Sequence, residues 1–245
     1  MTRLREVQAL VGFTRLASPA RQELAPNNRL PMTRGATTWV PAFEQRGEGV
    51  FLQLQEQRVA DWAARVDEHP RIQALRAAHR RWLVNRDLPP TNAFPPTEAF
   101  PVARYLLLHT LSHLLIRQVA LECGYSSSSV RERLYIGTPA EPAAGVLLST
   151  AASDSEGTLG GLVALGEARH LGRLLQDALA DASRCSSDPL CAEHVPQDPS
   201  DTLHAAACHA CLFAAETSCE NGNRWLDRAV LIELPGVDGL AFLDG

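Results

Sequence analysis

Hydrophobic positions along the chain repeat with two different periods, and the switches between them mark the elements. Residues 50–54, VFLQL, alternate as a strand does, and from Gln55 to Val66 the residues Val59, Trp62, Ala63 and Val66 fall on one helical stripe. After Pro70, IQALRAAHRRWLVNR puts Ile72, Leu75, Ala78 or His79, and Trp82 on one side. Arg71, Arg76, Arg80, Arg81 and Arg86 take the others, which predicts a basic amphipathic helix. The segment VARYLLLHTLSHLLIRQVALEC is apolar nearly all round, the mark of a helix buried in a core. Gly124 ends it. RERLYIG alternates and predicts a strand over Arg133–Gly137 with a turn before it, although Ser129 and Glu132 are also spaced as a helix-opening capping box. AGVLLSTA (144–151) reads as a buried strand, SDSEGTLGGL as a turn into a helix from about Gly161 to Ala182, and Glu220–Leu234 as a helix ending in a short strand.

The remaining stretches carry weaker patterns. Residues 3–16 suit a helix or a strand equally, and residues 18–49 are rich in Pro, Asn, Gly and Thr, so mostly loop is expected there with one short strand at Thr37–Val40. Five prolines in residues 89–101 predict an extended linker, and GVDGLAFLDG a loose tail. The expected organisation is a basic mixed α/β region over 1–88, the linker over 89–101, and a second domain over 102–245.

Composition changes this picture in two ways. At 245 residues with 45% hydrophobic content the chain can bury a real core, and it has neither an 18-residue apolar run nor the apolar centre of a secretion signal in MTRLREVQALVGF. A cytoplasmic protein without membrane contact is expected. Its net charge of −5 hides an asymmetry: residues 1–90 carry 14 Arg and 9 acidic residues, the remainder 9 Arg and 19 acidic residues. Every basic residue is Arg. This favours a nucleic-acid contact in the first half, with Arg76, Arg80, Arg81 and Arg86 as candidates, against the plainer reading of a solvated helix face.

Candidate chemistry concentrates between Cys185 and Asp227. Five of the six cysteines lie there, as CSSDPLC, then CHAC, then Cys219. Two cysteines separated by two residues can turn both sulfurs toward one ion, and a second pair brought in by a loop completes a tetrahedral thiolate shell, so a structural Zn2+ is expected. Cys208 and Cys211 rank first and Cys191 and Cys219 follow, with Cys185 a near-equal alternative to Cys191. His204 and His209 lie in the same loop, and disulfides or inert buried thiols are the competing readings. The expected fold class is therefore mixed α+β, mostly helical, with a small sheet and a zinc-stabilised loop region.

Two other patterns carry chemistry. His109 and His113 are spaced i, i+4, but the intervening residues lack the glutamate of HExxH peptidases, which favours hydrogen-bonded core histidines with carboxylate or backbone partners. A hydrolase built on His109, His113, Asp154 and Glu156 is the alternative. The SDSEGTLGGL turn sits where phosphate-binding loops sit, yet no Lys-Ser or Lys-Thr follows its glycines, and Asp154 and Glu156 disfavour an anion.

The runs LHTLSHLLIRQVALECGYSSSSVRERLY, ASDSEGTLGGL, CSSDPLC and AACHACLFAAETSCENGNRWLDRA, with RLREVQALVGFTRL at the start, resemble the DrmB component of DISARM anti-phage defence. More loosely, they resemble the cysteine-bearing carboxy-terminal domain of MrfA-type repair helicases. The resemblance implies a non-catalytic, helicase-associated zinc module that engages DNA together with a separate SF2 helicase of the DrmA type. It implies a metal role for Cys185, Cys191, Cys208, Cys211 and Cys219, and correspondence to the carboxy-terminal region of a longer protein. A purely scaffolding subunit without DNA contact is the remaining alternative.

Overall fold

A computed structural model describes residues 4–10, 12, 35, 38–85, 102–138, 140–150, 161–198 and 202–243. Strands β1 (Leu4–Ala9), β2 (Ala42–Gln53), β3 (Val130–Gly137) and β4 (Pro142–Thr150) form one antiparallel sheet in the order β1-β2-β4-β3. Around it lie α1 (Glu56–Val66), α2 (Pro70–Asn85), α3 (Val102–Cys123), α4 (Gly161–Leu165) and α5 (Ala168–Ala182). The mixed α+β class follows.

Period decides most of these elements. In α1 the stripe of Val59, Trp62 and Val66 is buried as its spacing requires, and α3 is buried along most of its length because apolar residues recur on all its faces and its histidines, Thr110 and Ser112 are buried with them. Leu106, Leu107, Leu108, Leu115 and Ile116 of α3 are sealed from solvent and form one core with Ile72 and Leu75 of α2, Val146 and Leu148 of β4, and Leu226 and Val230 beyond the cysteine loops. α3 is therefore the axle on which sheet and cysteine loops are mounted. Gly124, at φ +69°, takes the left-handed conformation that ends it.

Several expectations change. Residues 42–49 form the first part of β2 rather than a loop, because β1 pairs with them from Leu4↔Gly47 to Ala9↔Ala42 and β4 takes over at Glu48↔Thr150. The opening segment is thereby a strand. Thr38–Val40 is not a strand, and Thr37 lies outside the described residues. Glu132 is a strand residue, so it opens no helix, and its side chain turns inward with Val130. The helix expected over Gly161–Ala182 breaks at Gly166, whose missing side chain lets the backbone pass Val50; a Cβ there would lie 3.0 Å from Val50 Cγ2.

The carboxy-terminal third departs furthest. Only Arg228–Val230 is helical in Glu220–Leu234, as a single 3-10 turn, because Gly222, Asn223 and Trp225 all hold positive φ near 55–57° and an α-helix cannot pass through them. Residues 236–243 are no loose tail. Trp62 Nε1 donates to Leu240 O at 2.8 Å, Arg65 donates to Gly239 O and Ala241 O, and Leu240 is fully buried. Gly236 and Gly239, at φ +77° and +74°, turn the chain back for this contact. Residues 89–101, expected as a linker, lie outside the described residues, as do Asp154 and Glu156. Among the described residues no helix is long and apolar enough to cross a membrane.

Candidate metal centre

Past α5 the chain makes a turn and a short 3-10 segment at Pro189–Ala192 opened by Asp188, and residues 193–198 and 202–207 are non-helical before Cys208. This brings Cys185 and Cys191 against Cys208 and Cys211. Their sulfurs are 3.5 Å apart for Cys185–Cys208, 3.8 Å for Cys191–Cys211 and 3.6 Å for Cys208–Cys211, and all four lie within 4.8 Å of one another. A tetrahedron with Zn–S bonds of about 2.3 Å needs sulfurs about 3.8 Å apart. The residues therefore fit the ion, and all six cysteines are free thiols rather than disulfides. His204 and His209, the rival ligands, pack their rings on Phe213 at 4.9 Å instead.

The surroundings suit anionic sulfur. Cys211 Sγ accepts the Cys208 N–H at 3.2 Å, and the guanidinium of Arg228, almost wholly buried, donates to Cys191 Sγ at 3.5 Å. Arg228 is fixed there by Ala206 O and Ala182 O. Zn2+ with four thiolates carries a net charge of −2, so a buried cation beside it offsets part of that charge. Burial opposes ionisation of Cys185, but the backbone N–H groups of Ser187 and Asp188, with Cys208, bring its thiol down to about 7. Burial pushes the Cys191 and Cys211 thiols up despite Arg228. Four thiols held this close favour a bound cation over four S–H groups.

Cys219 lies elsewhere. It joins His109 and His113 of α3 and Glu132 of β3 in a second cluster, sealed in the core, whose ligand atoms also fall within 4.8 Å of one another. His109 Nε2 is 3.0 Å from Glu132 Oε1 and 3.2 Å from Cys219 Sγ, and His113 Nε2 is 3.6 Å from Glu132 Oε1. The core histidines expected from the sequence are present, with both carboxylate and backbone partners. Burial works against a charge on Glu132, yet His109 and His113 hold its carboxyl well below the usual range.

The two clusters meet through residues 225–228. Trp225 O faces His109, Asp227 forms a buried pair with Arg71 of α2 at 2.6 Å, and Arg228 reaches Cys191. The candidate arginines of α2 have varied surroundings. Arg76 is paired with Asp67 at 2.7 Å, Arg81 donates to Pro196 O, Arg80 is exposed, and Arg86 lies outside the described residues. At the sheet, Glu48 accepts the backbone N–H groups of Leu162 and Val163 and the Tyr125 hydroxyl. The first turn of α4 is thus already occupied by a carboxylate of the chain itself.

Sequence reasoning missed Glu132, Arg228 and the Arg71–Asp227 pair. The alternation of VRERLYIG, which turns Val130 and Glu132 to the same face, was the signal available for Glu132.

Residues 111–212 match the family model described as the MrfA Zn-binding domain. The chain is also 38% identical over 233 residues to the DISARM protein DrmB of Bacillus paralicheniformis, across 94% of this chain and 40% of that protein. The chain thus spans less than half the length of this relative. Both resemblances drawn from the sequence hold, and the four-cysteine cluster inside such a domain fits Zn2+.

Proposed function

We propose, from the premise that residues 111–212 form an MrfA Zn-binding domain, that Cys185, Cys191, Cys208 and Cys211 hold one structural Zn2+. In this reading the chain serves as a non-catalytic module of an anti-phage defence complex in the cytoplasm. The single observation that carries the metal assignment is the sulfur spacing of 3.5–3.8 Å, which is that of a closed tetrathiolate site. The defence role comes from the similarity to the DISARM protein DrmB, extended here to this chain. All four zinc positions are filled by the protein, leaving none for water or substrate, which supports a structural ion.

Support for a non-catalytic role comes also from the histidines. His109 and His113 are fully buried and face Glu132 and Cys219, which fits core histidines better than an open hydrolytic cleft. The module acts by presenting surface. We assign it contacts to DNA and to an SF2 helicase of the DrmA type, with Arg76, Arg80, Arg81 and Arg86 as the candidate phosphate contacts.

A duplex-DNA binding isotherm repeated over a salt series tests this. Binding should weaken steeply with salt, and Arg80→Ala with Arg86→Ala should flatten the slope by about 0.9 unit per lost phosphate contact. An unchanged slope removes α2 from the interface. Failure to bind DNA while still forming a complex with the cognate helicase would favour a scaffolding subunit.

A further inference from the structure

We propose that His109, His113, Glu132 and Cys219 form a second structural metal site, taking zinc or another borderline divalent transition ion, separate from the four-cysteine centre. The reasoning begins with where the imidazole protons sit. His109 Nδ1 faces Trp225 O at 3.3 Å and His113 Nδ1 faces Leu212 O at 3.1 Å. A carbonyl only accepts, so in each neutral ring Nδ1 carries the proton and Nε2 presents its lone pair. Backbone carbonyls on the far nitrogens are how metal-bound histidines are oriented.

Both lone pairs are aimed at acceptors. His109 Nε2 meets Glu132 Oε1 at 3.0 Å and Cys219 Sγ at 3.2 Å, and His113 Nε2 meets the same Oε1 at 3.6 Å. The sulfur itself accepts the backbone N–H groups of Asn221 at 3.3 Å and Asn223 at 3.2 Å, which hold it in place facing the histidines. The left-handed backbone at Gly222 and Asn223 is what curls these amides onto it. Four electron-pair donors therefore converge on one point, with the thiol proton as the one hydrogen neutral groups would supply among them.

Two of the atoms confirm the deficit. His113 Nε2 and Glu132 Oε2 have no hydrogen-bond partner, although their residues are respectively fully and about 95% buried. A divalent cation satisfies all four donors and cancels the carboxylate and thiolate charges. Its entry releases the thiol proton to solvent, leaving a Cys219 thiolate on the metal. Bond lengths of about 2.0–2.3 Å give tetrahedral ligand separations of about 3.3–3.6 Å, close to the 3.0–3.6 Å seen. Imidazole and thiolate ligands exclude Ca2+ and Mg2+ as its natural occupants. Four protein ligands and deep burial make the site structural.

The test counts metal in the whole purified chain after stripping and reloading with zinc. Two ions per chain are expected. Cys208→Ser should lower the count by one and keep the second, whereas His113→Gln or Glu132→Gln should lower it by one and keep the first. X-ray absorption on the wild-type chain gives a reading that needs no variant: the average zinc shell should hold about 2.5 sulfurs and about 1.5 nitrogen or oxygen neighbours. One zinc per chain with an all-sulfur shell overturns the proposal and means that protons fill the cluster. One zinc with a nitrogen- and oxygen-rich shell, lost in His113→Gln and kept in Cys208→Ser, would instead overturn the four-cysteine assignment and leave this one standing.

Discussion

The four-cysteine cluster and the histidine cluster are built in opposite ways. The first draws all its side chains from one run, Cys185 to Cys211, and its geometry is a property of turns: Pro189–Ala192 folds one pair inward and the CHAC turn offers the other. The second takes two residues from α3, one from β3 and one from a loop far along the chain. A local chelate holds together a region with little secondary structure, where the ion substitutes for a core. The non-local cluster exists only because the core is already assembled, and there packing positions the ligands. Loss of a ligand should therefore have different consequences in the two places.

The largest effect is expected at the local site. Cys208→Ser or Cys211→Ser should abolish zinc binding there and unfold the loops after α5, because structural zinc in small domains carries about 10–16 kcal/mol of apparent binding energy, which is folding energy. Limited proteolysis and metal analysis read this directly. New cleavage should appear between residues 183 and 215 while α3 stays protected. Full zinc and wild-type melting in either variant would break the comparison.

Next in size is the strut that joins the regions. Arg71 donates to Asp227 at 2.6 and 3.3 Å and to Ala192 O and His194 O, and both ends of the ion pair are buried. Arg71→Ala leaves a buried carboxylate without its cation, which costs about 3–5 kcal/mol. A chemical denaturation midpoint should fall accordingly. Arg71→Met with Asp227→Asn, which removes both charges, should recover much of the loss.

A finer cut between the regions is Arg228→Met. It keeps the buried stem and removes the cation 3.5 Å from Cys191 Sγ, so zinc affinity at the four-cysteine site should drop about 10–100-fold, as it does when outer-shell partners are lost. Competition with a chelator measures this. Wild-type affinity in the variant would show that the thiolate charge is balanced elsewhere.

The same contrast explains what could be read before the fold was known. The stripe of α1, the burial of α3 and the CHAC chelate are local periodicities, and each lies where the sequence puts it. The partners of His109 were invisible because β3 and the loop around Cys219 come together only in three dimensions. The alternation of β3 shows that Glu132 shares a face with Val130, but only the register Val130↔Thr150 to Tyr135↔Gly145 brings that face to α3. The helix expected at Glu220–Leu234 failed for a related reason. Asn223 and Trp225 adopt left-handed conformations, which asparagine tolerates but tryptophan does not, at a cost of about 1–2 kcal/mol for Trp225. They are held by tertiary contacts: Asn223 bonds to both the N–H and the carbonyl of Ala214, and Trp225 packs against His79, Trp82 and Tyr105.

The smallest expected effect concerns the sixth cysteine and isolates what geometry adds to residue type. Cys123 closes α3, and it belongs to neither group of ligands. Burial, with Glu48 and Glu122 nearby, pushes its thiol up, away from the thiolate form a metal requires. Its sulfur fills the space left by a glycine, lying 3.4 Å from where a Cβ on Gly161 would be. Cys123→Ala should therefore remove a small packing contact at the junction of α3 and α4, shift the unfolding free energy by no more than about 1 kcal/mol, and leave the zinc count unchanged. A calorimetric scan with metal analysis checks both halves. Loss of zinc on this substitution would mean that thiols are recruited by number rather than by the two geometries described, and the division of the six cysteines into a local site, a core site and a bystander would fall.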